Sequence, residues 1–258
     1  LLSFGHAIFL GTAGYVAGHS IKVWGFPPEL GLIFAALAAA ALGWVIGSLA
    51  IRRSGIYFAM ITLALAQMMY FFFLQAPFTG GEDGLQDVPR GHLLGFIDLA
   101  DDLNLYYFVL AIFVFAFWLI HRTIHSPFGQ VLKAIRENEP RAISLGYDTD
   151  RFKLIAFVLS GALAGLAGAT KALVFQLASL TDVYWSMSGE VVLMTLLGGM
   201  GTIFGPVVGA AVIITMQNYL AQLGAWVTIV QGVIFVVCVM AFRRGIVGEI
   251  ANLIKKPL

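Results

Sequence analysis

Cysteine and charge are both scarce in this chain of 258 residues, which holds one Cys and only 11% Asp, Glu, Lys and Arg. A lone Cys238 between Val237 and Val239 excludes an intrachain disulfide framework and a thiolate metal cluster, and reads as a small apolar packing residue. No Gly-Lys dipeptide occurs, so there is no Walker A loop to cradle a nucleotide. No chain of acids runs through an apolar stretch as a proton relay would. The net charge is +1 and the basic residues are dispersed among loops, which argues against a nucleic-acid surface. The opening stretch lacks a basic leader and a cleavage pattern, so it does not read as a signal peptide. It starts abruptly on Leu1, and residues upstream are expected to be missing.

What is present is apolar side chain: 60% of residues are hydrophobic and mean hydropathy is +0.90. A soluble domain carries about 25% charged residues, and a soluble fold of this length would have too little polar surface to face water. Tested against the roughly 20 residues a helix needs to cross a hydrocarbon core, eight stretches emerge, at 3–20, 29–51, 55–76, 105–122, 153–174, 185–199, 204–222 and 226–242. The sixth is short and ends in Gly198-Gly199-Met200-Gly201, which reads as a broken or re-entrant segment. Runs this long exclude a β-barrel, whose strands alternate over about ten residues.

Of the 15 Lys and Arg, 12 fall in alternate gaps: Arg52 and Arg53; Arg122, Lys133, Arg136, Arg141, Arg151 and Lys153; Arg243, Arg244, Lys255 and Lys256. The other gaps carry Glu82, Asp83, Asp87, Asp98, Asp101, Asp102 and Asp182. Basic loops stay in the cytoplasm. The gaps at 52–54, 123–152, 200–203 and after 242 are therefore assigned inside, and those at 21–28, 77–104, 175–184 and 223–225 outside, with a cytoplasmic C-terminus. Only Lys22, Arg90 and Lys171 break the pattern. Glycines four apart (Gly14/Gly18, Gly43/Gly47, Gly161/Gly165, Gly205/Gly209) predict close helix packing. Pro27-Pro28 and Pro206 suit helix starts. The stretch Ser3 to Gly18 faintly echoes Gly199 to Ala211, as repeated halves of a transporter do.

Few residues offer chemistry. His121 and His125 lie one helical turn apart, but without the Glu of a metalloprotease motif they read as an interfacial anchor rather than a zinc site. Lys171 and Glu190 sit at similar depth in the fifth and sixth stretches. Lys171 snorkels, pairs with Glu190, or meets a substrate carboxylate. Gln67 and Gln176 are lesser polar candidates, with packing hydrogen bonds as their default. In the segment 123–152, Pro127 and Gly129 are read as ending one element, while Leu132, Ile135, Ala142 and Leu145 mark apolar faces of short amphipathic helices and Gly146 a helix stop. A solvated loop would not need those faces. They predict a short helix that docks into another protein, the alternative being a helix lying on the membrane surface.

Taken in order, Leu2-Ser3-Phe4-Gly5-His6-Ala7, Gly55-Ile56-Tyr57-Phe58-Ala59, Thr79-Gly80-Gly81-Glu82-Asp83-Gly84-Leu85, the 126–146 loop, Leu163-Ala164-Gly165-Leu166-Ala167-Gly168-Ala169, Leu197-Gly198-Gly199-Met200-Gly201-Thr202 and Arg244-Gly245 resemble the LivM-type permeases of branched-chain amino-acid ABC importers. The resemblance implies an all-α polytopic permease in the bacterial inner membrane. It also implies a homologous second permease, two cytoplasmic ATPases that bind ATP and Mg, and a periplasmic binding protein. No cofactor or metal is expected in this chain. The coupling helix of such permeases matches Glu137 to Gly146, and the expected coupling residues are Arg136, Glu137, Asn138, Glu139, Arg141, Ala142, Leu145 and Gly146. Candidate pathway residues are Ser3, Phe4, Gly5, His6, Tyr57, Gln67, Lys171, Glu190, Gly198, Gly199 and Gly201. Related permeases also carry urea, short amides and aromatic acids, so the resemblance leaves the solute open. The whole chain, 1–258, reads as one transmembrane domain with a coupling loop at 123–152 and a periplasmic loop at 77–104. A self-powered secondary transporter or channel is the alternative, and an intramembrane enzyme is disfavoured because no paired His, Asp or Ser-Lys groups lie at membrane depth.

Overall fold

Proline and glycine punctuate the apolar runs and set where each helix begins. The computed structural model describes residues 2–93, 95–220 and 245–254, with isolated helical positions between 229 and 240. It divides into two units, Leu1–Met187 and Ser188–Leu258.

The first unit is built from α1 (His6–Lys22), α2 (Pro28–Ala50), α3 (Ile56–Gln75), α4 (Asp102–Ile124), α5 (Pro127–Glu137), α6 (Glu139–Ser144) and α7 (Thr149–Phe175). Pro28 opens α2 where a missing N–H costs least. Gly55, at φ +64°, turns the chain into α3. Asp101 caps α4 through Leu103 N–H, and Asp148 caps α7 through Arg151 N–H. α2, α3, α4 and α7 are long and apolar enough to cross a bilayer. The remaining candidates are shorter. α1 has 17 residues, and α8 (Trp185–Gly198) and α9 (Gly205–Leu220) have 14 and 16. At about 1.5 Å per residue these reach only about 21–26 Å, so eight full crossings do not follow from the structure. The eighth stretch, 226–242, lies largely outside the described residues.

α7 is the spine of this unit and packs along both α1 and α2. Small residues permit the approach. A Cβ on Gly165 would collide with the Ala39 methyl, and one on Gly168 with the Leu10 carbonyl. Between α1, α3 and α7 the core is aromatic: Phe9 and Phe58 meet Phe157 edge-on at 5.5 and 5.7 Å. α4 stands apart. Leu105 is its one buried residue, while Tyr106, Tyr107, Phe113, Val114, Phe115 and Trp118 are exposed. A patch of that kind is stable only against lipid or another protein.

α1 and α3 run parallel and in step. Phe4 N–H donates to Thr62 Oγ1, and Tyr15 stacks on Phe73; in both pairs the partners are 58 positions apart. α2 returns between them, so the connections gather at two poles. One pole collects residues 2–5, 51–55 and 125–153, with the basic residues of those gaps. The opposite pole collects the acidic gaps, where Leu85 and Ala178 exchange backbone hydrogen bonds of 2.9 Å and Val88 N–H reaches the Gln176 carbonyl. Within the first unit the basic and acidic gaps therefore sort to opposite poles. The three exceptions to the charge pattern are each bound at the acidic pole. Lys22 donates to the Gln86 carbonyl at 2.7 Å, Arg90 to the Val174 carbonyl and Asp102, and Lys171 to Asp182 at 2.6 Å.

The 77–104 loop carries its own structure: a hairpin of β1 (His92–Leu93) and β2 (Ile97–Asp98), and turns around Thr79, whose hydroxyl lies 2.5 Å from the Phe73 carbonyl at the end of α3. Gln176 ends α7 in the left-handed region at φ +55°, so its visible role is in the backbone.

In the second unit, α8 and α9 form a hairpin. A Cβ on Gly198 would collide with the Gly205 carbonyl, and one on Gly209 with the Met194 carbonyl. Gln217 donates to Glu190 at 2.8 Å across it. The start of a C-terminal helix, Gly245–Ile254, seats on the Gly199 backbone.

Candidate functional site: the basic pole and its cavity

A six-residue helix cannot stand alone, because nucleation costs more than so few hydrogen bonds return. α6 is held in place by specific contacts. Asn138 breaks the chain after α5 and caps α6 through Arg141 N–H at 3.1 Å, a contact worth about 1 kcal/mol. Glu139 accepts from Lys153 Nζ and, at 3.3 Å, from Thr149 Oγ1. Both donors lie on the first turns of α7, so Glu139 ties α6 to the spine. Ala142 is buried. Gly146, at φ +88°, ends the helix and donates to the Ile143 carbonyl. Phe128 of α5 stacks on Phe152 of α7 at 5.6 Å.

Pro127 and Gly129 do not end an element, as expected, but open one. α4 stops at Ile124, Ser126 caps α5 through Gly129 N–H, and Pro127 takes the first helical position. Gly129 lies so close to the end of α4 that a Cβ would strike the Ile124 and Thr123 carbonyls. Ala142 also differs from expectation. It packs inward, and the exposed apolar surface of α6 and its exit is Ile143, Leu145 and Tyr147, with Leu145 70% exposed. Glu137 and Arg141 are exposed beside them.

Between this segment and the ends of α1, α3 and α7 lies a cavity of about 740 Å³. Leu2, Phe4, Ile56, Phe58, Leu132 and Ile135 give it apolar walls, and Arg136, Glu139 and Lys153 its charges. His6 Nε2 and Ser160 Oγ, 2.9 Å apart, also line it. His6 meets Phe9 and Phe157 edge-on at 5.5 Å, joining the aromatic cluster that backs the cavity.

The expected pathway residues do not converge on one site. Phe4 and His6 line the cavity, and Ser3 Oγ accepts from Gly5 N–H just before α1. Tyr57 is exposed and outside the lining. Gln67 lies on α3 with its Oε1 buried and unpartnered, as are Thr12 Oγ1 and Tyr15 OH on α1. Lys171 is at the acidic pole with Asp182, not with Glu190, which takes Gln217 instead. Gly198 and Gly199 form the α8–α9 turn, and Gly201 is exposed there. Sequence reading missed Lys153, Thr149 and Ser160 as partners. Thr149 and Lys153 sit one turn apart at the start of α7, but their separation from Glu139 carries no periodic signal that would single it out from Glu137, Asp148 and Asp150. His121 and His125 stack at 4.2 Å, with His125 Nδ1 2.8 Å from the His121 carbonyl.

Comparison with known proteins gives a consistent picture. The family model described as branched-chain amino acid transport system / permease component matches residues 1–239. The chain is 26% identical to the high-affinity branched-chain amino acid transport system permease protein LivM of Escherichia coli (strain K12), over 95% of this chain and 63% of that protein. It is 32% identical to the ribose import permease protein RbsC of Bacillus subtilis (strain 168), over 64% of this chain and 51% of that one. A probable LivM of Methanocaldococcus jannaschii is 27% identical over 69% of this chain and 53% of its own length. The chain thus spans less than two thirds of the relatives it matches. No solved structure matches it significantly.

Proposed function

Because the chain belongs to the family of permease components of branched-chain amino acid transport systems, we propose that it is a membrane-spanning subunit of an ATP-driven importer of branched-chain amino acids. A second permease, two ATPases carrying ATP and Mg, and a periplasmic solute-binding protein complete the assembly on this reading. The basic pole faces the cytoplasm, as the positive-inside rule directs.

The observation that carries this reading is the construction of α6. It is a short helix with an exposed apolar tip, anchored through Glu139 to the longest of the described helices. An exposed apolar tip has a use if something outside grips it. Movement of an ATPase against Ile143 and Leu145 would pass through Glu139 into α7, and from α7 into α1 and α2. The chain itself hydrolyses nothing; energy enters from the partner subunits.

The test is ATP hydrolysis by the purified assembly, which leucine with its binding protein should stimulate. Leu145→Asp puts a charge into the proposed contact. It should lower stimulated hydrolysis and uptake by about tenfold or more, in keeping with a hot-spot loss above about 1.4 kcal/mol, while expression stays normal because Leu145 is exposed. Full stimulation in this variant would discard the docking role of α6.

A further inference from the structure

The cavity at the basic pole combines apolar walls with one cation that has nothing to bind. Lys153 is held by Glu139, whereas the Arg136 guanidinium has no hydrogen-bond or acid partner among the described residues. We infer that this cavity is a holding site for a small carboxylate-bearing aliphatic solute, its carboxylate on Arg136 and its hydrocarbon among Ile56, Phe58, Leu132 and Ile135.

The volume, about 740 Å³, lies within the roughly 300–1,000 Å³ of small-molecule sites, which pair apolar lining with a few placed polar groups. The charge balance fits as well. Lys153 lies between two acids, Glu139 and, at 3.8 Å, Asp150, which leaves Arg136 as the cation of the lining without an acid partner among the described residues. A guanidinium receives a carboxylate through two parallel hydrogen bonds, a geometry that ammonium cannot supply. The aromatic cluster of His6, Phe9, Phe58 and Phe157 backs the cavity with ring edges and faces, and the polar pair on that wall, His6 and Ser160, is already hydrogen-bonded to itself. Because α5 and α6 supply Leu132, Ile135, Arg136 and Glu139 while α1, α3, α7 and the residues leading into α1 and α3 supply the rest, an occupant would touch both the gripped helices and the spanning ones.

The identity of the solute as leucine or a near relative rests on the import reading; the carboxylate preference does not. The experiment uses the assembled complex in nanodiscs, without nucleotide, and measures binding of radiolabelled leucine and of radiolabelled 4-methylpentanoate, which keeps the hydrocarbon and carboxylate but lacks the amine. Both should bind, and leucinamide, lacking the carboxylate, should fail to displace them. Arg136→Gln should weaken both by about tenfold or more, and Leu132→Trp, which fills the space, should do the same. Lys133→Gln removes an exposed α5 cation outside the lining and should leave binding unchanged. Equal displacement by leucinamide, unaltered binding in Arg136→Gln and Leu132→Trp, or a co-purified lipid that neither probe displaces would overturn the assignment. If 4-methylpentanoate binds as expected but the wild-type assembly takes up no branched-chain amino acid, the import reading falls and the cavity assignment stands.

Discussion

Glu139→Ala should abolish ATP-driven uptake while leaving the protein in the membrane. The carboxylate is the link between α6 and α7, and it accepts from two donors at once, Lys153 and Thr149. Lys153 is 12% exposed and Glu139 36%, so the pair lies between the two limits known for ion pairs. An exposed pair contributes about 0–1 kcal/mol, and removing one partner of a fully buried pair costs about 3–5 kcal/mol. A loss of about 2 kcal/mol would not unfold a core that packs elsewhere, around Phe9, Phe58 and Phe157. It would uncouple α6 from α7 while leaving the Asn138 cap and the buried Ala142 in place. The expected signature is therefore split: normal abundance and assembly, near-normal basal ATP hydrolysis, and uptake down by two orders of magnitude. Glu139→Gln keeps an acceptor for Thr149 and should fall between the two. Uptake and abundance falling together would make Glu139 a folding residue instead.

Gly168→Val should have the larger effect on stability. At this point α1 and α7 touch backbone to backbone, and an added Cβ would overlap the Leu10 carbonyl oxygen. A flexible side chain can move aside, but a carbonyl engaged in its own helix cannot. Overpacking commonly costs about 1–3 kcal/mol and more where nothing yields. Because α7 packs on both α1 and α2, the whole unit would feel the separation. The expected outcome is loss of the monodisperse peak in detergent chromatography. Gly43→Ala is the control: its Cβ would meet Val158 at 3.5 Å, an ordinary contact, and alanine removes a helix-breaking residue worth about 1 kcal/mol. It should be neutral or slightly stabilising.

The same pair of residues shows how far the sequence could be read. Glycines at a spacing of four predicted close packing, and close packing is there. Yet within Gly14/Gly18, Gly43/Gly47 and Gly161/Gly165 only the second member is tight, and Gly168, outside any of these pairs, is tighter still. Spacing reports a helical face but not which residue on it lies at the crossing. Apolar length and the alternation of basic and acidic gaps were enough to place the long helices and to sort the connections of the first unit into two poles. Lys171 could not be assigned from them. Asp182 and Glu190 are both acids close in sequence, and the choice was made by a short turn at Leu180–Asp182 that folds back onto α1. Likewise the Glu139 link spans ten and fourteen positions, a separation with no periodic signature, and a cavity assembled from five helices leaves no local trace at all.

The central claim is that the tip of α6 lies in the cytoplasm in the grip of an ATPase. Cysteine-accessibility labelling tests it most directly, with a single cysteine at Leu145 in a Cys238→Ser background, since Cys238 is the one cysteine among these 258 residues. A membrane-impermeant maleimide should label Leu145→Cys in inside-out vesicles stripped of the ATPase, label it poorly once the ATPase is restored, and leave it unlabelled in intact cells whose outer membrane has been opened. Labelling from the periplasmic side of intact cells would contradict both the orientation and the coupling mechanism.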